Sequence, residues 1–134
     1  MACILNVISK ANHVGKEPRM NIESSAAGLV PVRMASAVVT LDQYDEAWSL
    51  ALPDPGVPDG VRCYETHVQF DVPFSSAPLV QVGITGFDID NRDTARLSAR
   101  VGEITTEGFG LSVETWRGTR VYRVEVSWLA LGSA

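Results

Sequence analysis

The chain has 134 residues, 46% hydrophobic and 20% charged, a globular composition that excludes a disordered, collagen-like or uniformly coiled-coil chain. Its length buries a sizeable core without relying on disulfides. The net charge of −5 is spread along it, with four basic against seven acidic residues in 1–60 and seven against nine in 61–134. Neither half is a basic domain, so no nucleic-acid partner is expected.

Residues 1–35 contain both lysines, Lys10 and Lys16, and no Phe, Tyr or Trp. Such a segment buries little area by itself. We read 1–36 as an N-terminal arm that anchors the chain to a partner or promotes its oligomerisation, with an ordinary edge strand of the same domain as the alternative. The opening Met1-Ala-Cys-Ile-Leu-Asn-Val-Ile-Ser-Lys10 is too short an apolar run for a signal peptide. No stretch approaches the ~18 apolar residues of a membrane span. Synthesis in the cytoplasm, without export by the general route and without membrane insertion, is the expectation. The two cysteines, Cys3 and Cys63, form neither a disulfide framework nor a CxxC metal motif. Two free thiols in a reducing compartment are expected, with a Cys3–Cys63 bridge as the alternative.

From residue 37 to 134 the pattern is β. Ala37-Val-Val-Thr-Leu41 is a β-branched run, and Asp45–Leu52, with Trp48, reads as a helical turn or an irregular strand. Pro53-Asp-Pro-Gly-Val-Pro-Asp-Gly60 has to be a loop, because three prolines and two glycines disrupt either kind of ladder. Tyr64, Thr66, Val68 and Phe70 then alternate with polar residues, as in a half-buried strand. Val80, Val82 and Ile84 mark the next strand, Leu97, Ala99 and Val101 another, and Phe109, Leu111 and Val113 a fourth. A tight hairpin at Trp116-Arg-Gly-Thr119 leads into a last strand with Tyr122, Val124, Val126 and Trp128 on one face. Five or six short strands and no long amphipathic helix predict an all-β antiparallel sandwich. Leu79, Phe87, Ile104, Val121 and Leu129 fall off the main alternation, an extra apolar stripe that predicts a subunit interface.

Several residues suggest chemistry. A hexose offers hydroxyls that donate and accept, and one apolar C–H face. A carboxylate such as Asp59 accepts from neighbouring hydroxyls, and a guanidinium such as Arg96 donates to the same oxygens. Trp116 or Tyr122 can cover the apolar face. Plainer roles stay open: Asp59 capping a turn, Arg96 paired with Asp93 or Glu103, and the two rings in a core or an interface. Catalysis has little to work with. His67 lies on the outer face of its strand, and no serine occupies a nucleophile elbow. Asp88-Ile-Asp-Asn-Arg-Asp93 imitates a calcium loop, but Arg92 stands where an oxygen ligand is wanted. Neither a catalytic residue, a metal nor a cofactor is expected.

The order Phe70-Asp-Val-Pro-Phe74 … Pro78-Leu-Val80, Ile84-Thr-Gly-Phe-Asp88, Arg96, Arg100, Thr106-Glu-Gly-Phe109, Thr115-Trp116, Thr119–Tyr122 and Ser127-Trp-Leu129 resembles the H-type lectin domain over residues 38–134. The resemblance implies a six-stranded antiparallel β-sandwich assembled as a homotrimer. It also implies binding of galactose- or N-acetylgalactosamine-like sugars at the edges between protomers. The sugar-contacting positions it implies are Gly56 and Asp59 in the loop, Arg96 preceded by Thr94, the hairpin Trp116, Arg117 and Tyr122. Arg117 replaces a position that is often histidine, which admits an acidic sugar or a capsular polysaccharide. The family's strand cysteine is Val113 here. The expected partners are therefore a glycan or surface polysaccharide and a second copy of the chain, with cell-surface adhesion as the role. The alternative is a spike or decoration protein of a phage-like particle, active in virion attachment and anchored through 1–36.

Overall fold

The computed structural model describes residues 30–134 apart from 54, 55 and 57. Cys3, His13 and the anchoring role read for the arm lie outside the described residues. Six strands follow in chain order: β1 (Val32–Asp42), β2 (Arg62–Gln69), β3 (Leu79–Ile89), β4 (Ser98–Ile104), β5 (Gly108–Thr115) and β6 (Val121–Ser133). They build two three-stranded sheets, β1-β6-β3 and β2-β5-β4, with antiparallel pairing throughout.

Two-residue periodicity makes the sandwich. β5 turns Phe109, Leu111, Val113 and Thr115 inward, and β6 turns Val124, Val126, Trp128 and Ala130 toward them. The Phe70, Phe109 and Trp128 rings meet pairwise at centroid distances of 5.9, 5.5 and 5.7 Å, and Phe74 closes on Phe70 at 5.0 Å. Burying each ring stabilises the fold by about 1.5–3 kcal/mol, and each ring pair adds about 0.5–1.5 kcal/mol. At the other end, Trp48 packs on Tyr64 at 5.0 Å and donates its indole N–H to the Val121 carbonyl at 2.8 Å. The segment around Trp48 is a series of turns.

Register puts the loops where they are needed. Asp42 pairs with Arg123 and Ile89 with Val121, while Arg62 pairs with Thr115 and Ser98 with Glu114. The β1–β2, β3–β4 and β5–β6 connections therefore share one end of the sandwich. The β2–β3 and β4–β5 connections share the other.

Three sequence readings are corrected. Strand β1 begins at Val32, so residues 32–36 belong to the sheet as its edge, the alternative given above for that part of the arm. Cys63 is disulfide-bonded, not a free thiol; it lies half-buried on β2. The extra apolar stripe divides. Leu79, Phe87 and Leu129 stay exposed, Ile104 packs on the core, and Val121 is fully buried. The cause at Val121 is a bulge: Asp88 pairs with Arg123 but Ile89 with Val121, leaving Tyr122 as the extra residue. Val121 thus joins Val124 inside, and the half-buried Tyr122 is released from the core toward the loops.

Candidate functional site

The β5–β6 hairpin joins the other two loops of its end. Its Arg117 N–H donates to the Asp59 carbonyl at 2.7 Å, which fixes the Pro/Gly loop against it. Its Thr119 hydroxyl donates to the Thr94 carbonyl at 2.6 Å, and Arg96 Nη1 donates to the Thr119 hydroxyl at 3.1 Å, which fixes the β3–β4 loop. These bonds link Asp59, Thr94, Arg96 and Arg117 through the hairpin, in which Trp116 precedes Arg117. Gly56 sits exposed in the same Pro/Gly loop, with φ of 72°, a left-handed conformation that glycine adopts without penalty.

Two residues without that freedom hold the same conformation, Asp59 at φ 62° and Arg117 at φ 56°. They are the described non-glycine residues with positive φ, and they are hydrogen-bonded to each other through the backbone. Strain of about 1–3 kcal/mol per residue persists only where the surroundings fix it. Buried Arg62 is part of what fixes it. Its Nε donates to Gly60 at 3.1 Å, and its two Nη atoms donate to the Leu52 and Arg117 carbonyls. One cation thus ties three backbone segments of this end together.

Arg96 forms an ion pair with Asp93 at 3.5 Å, one of the two partners considered from sequence, while also holding Thr94 and Thr119. Its side chain is only 18% exposed. Gly118 leaves room for the Asp93 carboxylate, whose Oδ2 would lie 2.2 Å from a Cβ placed there.

Tyr122 belongs to a neighbouring cluster. Its hydroxyl donates to Asp90 at 2.9 Å, and Asp90 also accepts from the Arg92 side chain at 2.8 and 3.2 Å and from the Arg92 N–H at 3.0 Å. The Arg92 guanidinium, then its backbone N–H, then the Tyr122 hydroxyl hold the Asp90 carboxyl well below the usual carboxylate range. Asp90, Arg92, Asp93, Gly118 and Arg120 line a cleft of about 220 Å³. The calcium-like run is thus a clamp for a tyrosine and two arginines. Among the described residues no three His, Cys, Asp or Glu side chains converge on a metal position, and no helix is long and apolar enough to cross a membrane.

Sequence reasoning missed Arg62, Asp90 and Arg120. Arg62 carried a legible signal, since it shares strand parity with the inward-facing Tyr64 and Val68. Asp90 and Arg120 carried none, because their roles depend on which loops meet.

Residues 65–131 match the family model described as the H-type lectin domain. The chain belongs to the H-type lectin domain family. Discoidin-2 of Dictyostelium discoideum is 33% identical over 73 residues, covering 54% of this chain and 28% of its own. The "ATP synthase subunits region ORF 7" protein of Fuscovulum blasticum is 39% identical over 75 residues, covering 56% of this chain and 65% of its own. Among solved structures, native recombinant discoidin II of Dictyostelium discoideum superposes with a TM-score of 0.60 at 27% identity, over 77% of this chain and 38% of that one. Wild-type discoidin II gives a TM-score of 0.57 at 28% identity, over 76% and 38%. The chain thus spans less than two thirds of the length of each relative. Family and fold support carbohydrate binding.

Proposed function

We propose that this protein is a lectin, without catalytic activity, that attaches to cell-surface glycans through the end of the sandwich where its three loops meet. Asp59 accepts from vicinal hydroxyls of a galactose-like ring or a capsular-polysaccharide sugar, and Arg96 donates to the same oxygens. Trp116 supplies an apolar platform, flanked by Gly56, Thr94, Arg117 and Tyr122. The observation that carries this reading is the hairpin's double attachment, Arg117 N–H to Asp59 at 2.7 Å and Arg96 to Thr119 at 3.1 Å. It supports a site in which the Asp59 carboxylate, the Arg96 guanidinium and the Trp116 indole act on one sugar.

One such site holding one sugar is weak, with a Kd of about 1 mM to 100 μM. Assembly as a homotrimer multiplies it by roughly 10²- to 10⁴-fold on a multivalent surface. The outer face of β1-β6-β3 supports self-association. Met34, Leu131 and Leu79 line up across the three strands, beside Ser36, Leu129 and Gln81. Met34, Leu131 and Leu79 are 66%, 43% and 71% exposed, an apolar row in want of a cover.

The test is a glycan and polysaccharide array probed with the intact protein and with Asp59→Ala and Arg96→Ala. Both variants should lose array signal at unchanged sedimentation mass; normal binding by both would refute the site.

A further inference from the structure

We infer that the site prefers an acidic saccharide, whose anionic group is received by Arg120 in the cleft between the hairpin and the β3–β4 loop. This rests on the carbohydrate-binding reading above and narrows it to a class of ligand.

Four of the described arginines are buried or half-buried: Arg33, Arg62, Arg96 and Arg120. Arg33 donates to the Val72 carbonyl and stacks over the Phe74 ring at 4.0 Å. Arg62 donates to three carbonyls, and Arg96 binds Thr94, Thr119 and Asp93. The Arg120 guanidinium has no hydrogen-bond or ion-pair partner among the described residues; only its carbonyl is engaged, accepting from the Asp90 N–H at 2.9 Å. A half-buried guanidinium with no partner among the described residues, set in a polar cleft, is open to an anion brought by a ligand.

The two carboxylates of that cleft do not fill the role, because each is already matched. Asp90 is held by Arg92 and Tyr122, and Asp93 by Arg96 and the Thr94 N–H. Arg117, exposed on the same hairpin, adds a second guanidinium whose side chain has no partner among the described residues. The net charge of the chain is −5, so this preference is local and geometric, not a long-range attraction. The cleft, at about 220 Å³, is smaller than the roughly 300–1,000 Å³ of a drug-sized pocket and suits one end of one sugar. A planar carboxylate matches a guanidinium through two parallel N–H···O bonds. The neighbouring Asp59 carboxylate also lacks a side-chain partner among the described residues and can accept only from donors such as hydroxyls. A ring with hydroxyls on one edge and a carboxylate on the other, as in a uronic acid, satisfies both. A sulfate ester presents the same kind of acceptor.

Calorimetry on the full chain tests this with three ligands: oligogalacturonate, the same oligosaccharide after carboxyl reduction, and a sulfated galactan. The intact protein should bind at least one charged ligand tenfold or more tightly than the reduced one. Arg120→Gln should erase most of that ratio, while Arg100→Gln, on the exposed Arg100–Glu114 pair of β4, should leave it intact. Arg120→Lys, which keeps charge but not the planar fork, should retain part of the ratio and covers the case in which the glutamine variant does not fold. A stronger response to oligogalacturonate supports the carboxylate, and a stronger response to the galactan identifies sulfate as the anion. Equal binding of charged and reduced ligands by the intact protein overturns the acidic preference and leaves the lectin reading standing. Binding to no glycan in these titrations or on the array overturns the lectin reading itself.

Discussion

The two ends of the sandwich are held by different forces. At the β2–β3 and β4–β5 end, Phe70, Phe74, Phe109 and Trp128 are buried together. The loops there close through backbone bonds, Phe70 N–H to Glu107 at 2.8 Å and Phe74 N–H to Thr106 at 2.8 Å. The other end has its own buried Trp48 and Leu50, but its outer loops depend on Arg62, Arg96, Asp90 and Thr119, and two of its residues hold left-handed backbone without being glycine. Apolar burial is non-directional and tolerant, whereas a polar junction fixes positions to fractions of an ångström. The first end stabilises by apolar burial, and the second fixes its loops by polar bonds, as the proposed binding site requires.

Phe109→Ala should break the stabilising end, lowering unfolding free energy by about 3–5 kcal/mol in urea titration while the folded fraction still binds glycan. Loss of binding by the folded fraction would show that the two ends are not separable. Arg62→Met removes the donor to three carbonyls and should lower stability by about 2–4 kcal/mol. Unlike Phe109→Ala, it should also abolish binding per folded molecule. Asp59→Asn keeps a residue tolerant of φ 62° and removes only the charge. Binding should weaken about tenfold, about 1.4 kcal/mol, with the thermal midpoint nearly unchanged.

A smaller effect follows from Asp90. Its pKa is depressed in the folded state, so its stabilising contribution is fully present above the ordinary carboxylate pKa of about 3.9 and is lost as pH falls toward the folded value. Asp90→Asn should therefore lose stability less steeply than the parent protein below about pH 4, as read from urea midpoints across pH. The smallest change is Arg117→Gly, which relieves the left-handed backbone at φ 56°. It should raise stability by about 0.5–1 kcal/mol while weakening glycan binding, so that stability and function move in opposite directions at one residue.

The strands were legible because alternation is a local property. Tyr64, Val68 and Phe70, and Phe109, Leu111 and Val113, face inward as their spacing predicts. Tyr122 and Val121 were not, because the bulge that exchanges their roles arises only when β6 pairs with β3. For the candidate site, Asp59, Arg96, Trp116 and Arg117 were singled out by residue type and by resemblance, and the structure links Asp59 and Arg96 to the hairpin that carries the other two. The Asp90–Arg92–Tyr122 clamp was hidden, because an acidic run beside an arginine reads equally well as a solvated loop.

Sequence alone determined that the chain is a β-sandwich, since two-residue periodicity and turn chemistry act between near neighbours and need no partner to be read. The tertiary structure decided which arginines, among the described residues, are engaged by the protein and which are not. Arg62, Arg96, Arg117 and Arg120 are chemically identical in the sequence, and only the meeting of three distant loops supplies carbonyls to the first, a carboxylate and two oxygens to the second, and no side-chain partner among the described residues to the last two.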